Sequence, residues 1–185
     1  MGALPSLVSV EEYLHTDYEP DCEYVDGVLV DRNVGEKDHS KSQRNILLYF
    51  HERSKAWNLF VIQELRVQVS RTRFRVPDVC VVLGPEPDEQ ILTKPPFLCV
   101  EVLSPEDRMS RIESKIDDYV KFGVAYVWVV DPQTHKAWIY TAGSRHEVQD
   151  GVLRTANPEW IVPLAEVFDR WGIGPTRALS SIIVA

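Results

Sequence analysis

Two stretches of the chain are apolar almost without interruption. VAYVWVVD, residues 124–131, reads as a strand covered on both faces, because a strand with one wet face would alternate. FLCVEVLSPED, residues 97–107, is similar up to Ser104 but carries Glu101 in its middle. Other segments do alternate. In LFVIQELRVQVS, residues 59–70, Leu65, Val67 and Val69 interleave with Glu64, Arg66, Gln68 and Ser70, the period of a half-exposed strand. An RTRF turn then leads into FRVPDVCVVLG, residues 74–84, its expected antiparallel partner. Pro77 cannot donate a ladder hydrogen bond, so it marks an irregularity or the strand entrance.

Helical spacing appears twice at length. Residues 38–57 repeat Ile46, Leu47, Phe50 and Trp57, with Asp38 favouring the start of the helix. Residues 106–122 repeat Met109, Ile112, Ile116, Tyr119 and Val120, and Gly123 ends the pattern. Ser9 and Glu12 have capping-box spacing and predict a short helix from Val10. Asp26-Gly27, between the short apolar runs of CEYVDGVLVDRN, predicts a hairpin. After Lys136 come short strands in KAWIYTA, HEVQD and VLRTA, then a short helix around PLAEVF. The order is helix, strand, strand, strand, helix, strand. It predicts an α/β fold with a mixed sheet, one domain over residues 1–185. Its core spans about 38–131, preceded by a helix and hairpin over 9–33 and followed by a β-meander over 136–168.

Composition narrows the class. With 44% hydrophobic and 26% charged residues over 185 positions, the chain has the make-up of a folded soluble protein. It shows no membrane-length apolar run and no secretory signal, and a cytoplasmic location is expected. MGALPS matches the start of a myristoylation motif but has no polybasic partner. Cys22, Cys80 and Cys99 lack CxxC spacing and suit buried thiols in a reducing compartment. A net charge of −8 argues against a broad nucleic-acid surface, so a polyanion would be met locally. Arg71, Arg73 and Arg75 share one strand face, either as a solvated edge or as phosphate ligands.

The candidate chemistry lies in the carboxylates. Asp78, after Pro77, and Glu101, on the next strand, converge if those strands are neighbours. Two close carboxylates repel unless they share a proton or a cation. Oxygen donors without clustered His or Cys select Mg²⁺ or Mn²⁺ over zinc. The alternative for Glu101 is a salt-bridged core carboxylate.

Pro77-Asp78 followed by Glu101-Val102-Leu103 within this element order resembles the PD-(D/E)XK nuclease superfamily. CEYVDGVLV, DHS, RVPDVCVV, VEVLSPEDR, SKIDDYVKFGVAYVWVVDP and IVPLAEVF together resemble the bacterial family of putative restriction endonucleases of Uma type. The resemblance implies a restriction-endonuclease-like core and a metal-dependent endonuclease acting on DNA. Asp78, Glu101 and the Val102 carbonyl would hold the ion. One position departs from the pattern: Leu103 stands where the superfamily carries lysine. The resemblance moves that role to Lys115, with Tyr119 four residues on sharing its helix face. It also marks Glu23 as a candidate further carboxylate and His39 as a candidate contact to phosphate or leaving group. Lys115 as a snorkelling helix-edge lysine, and Glu23 and His39 as structural residues, are the competing readings. Leu103 and the negative charge motivate two others at the level of function. One is a catalytically degenerate fold serving as a dimeric interaction or accessory module; the other is hydrolysis of a smaller phosphoester. A symmetric homodimer is a common arrangement for such a chain.

Overall fold

The computed structural model describes residues 7–32 and 35–169; MGALPS and the tail beyond Asp169 lie outside the described residues. Helix α1 (Val10–His15) begins as the capping box predicts, with Ser9 Oγ accepting from the Glu12 N–H at 3.0 Å. Strands β1 (Cys22–Val25) and β2 (Val28–Asp31) form the predicted hairpin. Asp26 and Gly27 both take positive φ, 50° and 93°, as a type I′ turn requires. Helix α2 (Lys37–His51) and a short α3 (Ser54–Trp57) divide the single helix predicted over 38–57, and Asn58 in the left-handed region ends the second piece.

The segment 59–84 differs from the expected single hairpin. It folds as β3 (Leu59–Gln63), β4 (Val67–Ser70), β5 (Arg73–Arg75) and β6 (Val79–Leu83). β4 pairs with β5 in a four-stranded sheet of order β2-β1-β5-β4, whereas β3 pairs with β6 in a different sheet. Both long strands break at the same level. Glu64 turns through φ 54°, and Pro77 interrupts the opposite strand. The Glu64 N–H reaches the Pro77 and Asp78 carbonyls at 3.2 and 3.4 Å, which ties the two breaks together.

Next come β7 (Leu98–Val102), α4 (Met109–Phe122) and β8 (Tyr126–Asp131), with β7 and β8 parallel as a strand–helix–strand crossover demands. Helix α4 starts at Met109, three residues later than predicted. Residues 104–107 form a turn in which Asp107 Oδ2 accepts from the Ser104 N–H at 2.7 Å. Met109 is therefore exposed in the first turn and not part of the apolar face. The chain ends its described part with β9 (Lys136–Tyr140), β10 (Arg145–Glu147), β11 (Val152–Arg154), β12 (Ile161–Pro163) and α5 (Leu164–Phe168). Strand β12, within IVPLAEVF, was not predicted.

The six-stranded mixed sheet has order β10-β9-β8-β7-β6-β3. Its two most apolar strands, β7 and β8, are central, as their composition predicts. One face packs Val79, Val81, Leu98, Val100 and Trp128 against Ile46, Tyr49 and Phe50 of α2 and Val167 and Phe168 of α5. The other packs Cys80, Cys99, Val127 and Val129 against Ile112, Ile116 and Tyr119 of α4 and Val67 and Val69 of β4. The second sheet thus joins the first through a shared apolar layer. Among the described residues no helix is long and apolar enough to cross a membrane.

Candidate active site

Asp78 is held from three sides. The antiparallel register pairs Val79 with Val100, which brings Asp78, one residue before β6, level with Glu101 on β7. Its carbonyl accepts from Gln43 Nε2 of α2 at 3.0 Å, and its Oδ2 accepts from the Val102 N–H at 2.6 Å. His39 Nε2, on the first turn of α2, lies 3.4 Å from the same oxygen. His39 Nδ1 is buried without a hydrogen-bond partner, and a Cβ on Gly35 would stand 2.6 Å from it, so the ring needs a glycine there.

Glu101 is buried, and both its oxygens are engaged by α4. Lys115 Nζ donates to Oε2 at 2.5 Å, and Tyr119 OH donates to Oε1 at 2.7 Å. The four-residue spacing places both donors on the face that also buries Ile112 and Ile116. Lys115 therefore reaches the carboxylate despite coming from a helix. Its ammonium also lies 3.1 Å from Glu23 Oε1. Leu103 points to the same side, packing against the α4 cluster as strand alternation from Glu101 requires.

Glu23, fully buried, lies beneath Lys115 and does not line the cavity at Asp78. Its Oε1 also accepts from the Val76 N–H at 3.1 Å, and its Oε2 accepts from Arg75 at 2.8 Å. Arg75 in turn donates to Asp118 Oδ2 at 2.8 Å and to Ser114 Oγ at 3.0 Å on α4. Arg73 bridges Asp118 and Asp26 at 2.8 and 2.6 Å. Both readings of these two arginines, a solvated edge or phosphate ligands, are corrected: they clasp α4 to the hairpin. Strand alternation could not reveal this, because the break at Pro77 turns the strand over α4. Ser114 and Asp118, four residues apart on one face of α4, receive Arg75 together.

The charges interlock. Burial pushes the Glu101 carboxyl up, and with Asp78 and Glu23 nearby it reaches about 7 in spite of Lys115. Burial alone would lower the Lys115 ammonium, but Glu101, Glu23 and Asp78 outweigh it and hold Lys115 above its ordinary value. The two directions agree: one ammonium faces three carboxylates, so it stays charged while Glu101, which unlike Glu23 has no arginine beside it, is under-compensated. For Glu23, burial is overcome by Lys115 and Arg75, and its carboxyl is lowered. Burial lowers His39, and the contact with Asp78 more than restores it, so the imidazole is raised.

A cavity of about 40 Å³ opens on Asp78, Glu101, Val102, Lys115, His39 and Arg32. A second, of about 240 Å³, shares Arg32, His39 and Asp78 and adds Asp21, Gln43 and Glu64. Among the described residues no three His, Cys, Asp or Glu side chains group closely enough to enclose a metal ion. That does not oppose Mg²⁺ or Mn²⁺, which are ordinarily held by one or two carboxylates with waters and substrate phosphate. The residues fit such an ion: the donors are oxygens, and the raised Glu101 marks a place where positive charge is short.

The family model described as Uma2, putative restriction endonuclease, matches residues 10–172. Among solved structures, a putative nuclease belonging to DUF820 from Anabaena variabilis superposes with a TM-score of 0.75 at 19% identity, covering 87% of this chain and 97% of that one. That likeness shows the fold, restriction-endonuclease-like as the element order predicts. No curated protein matches the sequence.

Proposed function

The chain belongs to the Uma2 family of putative restriction endonucleases, and we propose that it is a divalent-metal-dependent endonuclease hydrolysing DNA phosphodiester bonds. The observation that carries this reading is the contact of Lys115 with Glu101 at 2.5 Å. It would supply, from α4, the lysine that is missing at Leu103, just after β7.

Asp78, Glu101 and the Val102 carbonyl would hold Mg²⁺ or Mn²⁺, which supplies Lewis-acid polarisation of phosphate and a more acidic water. Lys115 and Tyr119 fix both oxygens of Glu101, so that carboxylate is set in place before substrate arrives. The Lys115 ammonium remains charged and offers its remaining protons to the negative charge that builds on phosphorus oxygens. Glu23, itself held by Arg75, contacts Lys115 from below and so positions it without entering the cavity. His39, beside Asp78 and favoured in its charged form by that carboxylate, would contact the phosphate or leaving oxygen. Contact with DNA is confined to this mouth, since the chain as a whole carries −8.

The accessory-module reading, motivated by Leu103 and the net charge, would be favoured by a Lys115 far from the carboxylates; the 2.5 Å contact with Glu101 favours the enzyme reading over it. The test is plasmid cleavage with Mg²⁺ or Mn²⁺ by the wild type beside Asp78→Ala, Glu101→Ala and Lys115→Ala. Each variant is expected to lose at least about a hundredfold in rate. Equal cleavage by wild type and variants would sink the proposal.

A further inference from the structure

Arg32 follows directly on β2 and lines both cavities. Among the described residues its side chain makes one hydrogen bond, from Nη1 to Asp21 Oδ2 at 3.2 Å. From there Nη2 leans over Asp78 Oδ1 and Glu64 Oε1, each at 3.6 Å, too far for a hydrogen bond. The two oxygens of Asp78 therefore have different company. Oδ2 takes the Val102 N–H and faces His39, whereas Oδ1 faces the Arg32 guanidinium.

We propose that Arg32 is the resident counter-ion of Asp78 Oδ1 and competes with the divalent cation for that oxygen. Resting on the reading of Asp78 as an ion ligand, this adds a residue that sets the site's affinity for the ion. The contact is the kind a metal displaces. A Mg²⁺ or Mn²⁺ ligand oxygen sits at about 2.1 Å and meets twice the charge, whereas the guanidinium holds Oδ1 only by a long electrostatic contact. Its tether to Asp21 does not depend on Asp78, so Arg32 can yield Oδ1 while still anchored. A bound ion then has a positive neighbour, and that repulsion weakens ion binding in the wild type.

The sign separates this role from a structural one. An arginine that merely shaped the pocket would, on removal, weaken ion binding; a competitor, on removal, strengthens it. Mn²⁺ titration of the full chain by calorimetry should show binding about tenfold tighter in Arg32→Gln and Arg32→Met than in wild type. Arg32→Lys, which keeps the charge, should stay within about threefold of wild type. Two different neutral side chains guard against one of them misfolding, with circular dichroism as the check on each. Asp78→Asn separates the two levels of the argument. If wild type takes up no Mn²⁺, or Asp78→Asn takes it up equally, the ion-ligand reading fails and Arg32 falls with it. If Asp78→Asn abolishes uptake while the neutral Arg32 variants bind no tighter than wild type, the competition alone is wrong.

Discussion

Glu101 couples the site to stability through pH. Its carboxyl stands at about 7 in the folded chain, against an ordinary value of 4.5, because burial and the neighbouring carboxylates oppose its charge. Between these values the folded state holds a proton that the unfolded chain has released. Stability from this group therefore falls as pH rises from about 4.5 to 7 and is level above that. Glu23 works in another window: its lowered carboxyl contributes stability that is lost only as pH drops below 4.5. Glu101→Gln should flatten the slope between pH 5 and 8 in urea unfolding, removing up to about 3 kcal/mol of pH dependence. An unchanged slope would mean that Glu101 is ionised throughout. That Glu101 mattered was legible in the sequence, because a carboxylate inside an apolar strand needs a partner. Asp78 was legible through the proline beside it. Arg32 was not: an arginine trailing a hairpin gives no sign of the carboxylate it faces until the chain is folded.

In the proposed site, α4 supplies to Glu101 the lysine that the strand does not carry. Leu103 follows β7 two positions after Glu101 and packs half-buried on the α4 side. Lys115→Ala strands Glu101 and Glu23 with less cation than carboxylate, which should cost about 3–5 kcal/mol. Adding Leu103→Lys should restore at least about 1 kcal/mol, read from the urea midpoint, since residue 103 projects beside Glu101. No recovery would mean that the strand position cannot reach the carboxylate. Element types were mostly legible from period and punctuation; boundaries were not where tertiary contacts decide them. The strand predicted over 59–70 kept its alternation, yet Glu64 and Pro77 broke it and its partner at one level and sent the halves to different sheets. That break sets Asp78 at the mouth of the site, so the feature hardest to read in the sequence is one the site depends on.

At the scale of the molecule, the two sheets share enough to act as one folding unit, and we propose that they do. Val67 and Val69 of the four-stranded sheet lie in the same apolar layer as Cys80 and Cys99 of the six-stranded one. Helix α4 is ionically bound to both, through Asp118 to Arg73 and Arg75 and through Lys115 to Glu23 and Glu101. The cysteines report on this without mutation. Cys22 sits in the four-stranded sheet and Cys80 and Cys99 pair across β6 and β7; all three are buried and free. Burial pushes Cys80 up to about 12, raises Cys99 well above its ordinary value and raises Cys22, so the folded chain presents little thiolate at pH 8. Alkylation should be negligible in buffer. In increasing urea, Cys22 and the Cys80–Cys99 pair should become reactive along one curve, resolved by peptide mass spectrometry. If Cys22 were labelled at clearly lower urea, the hairpin sheet would be opening by itself. Lys115 would then lose the Glu23 contact while β6 and β7 stayed folded, and the site would depend on a docked element instead of a single core.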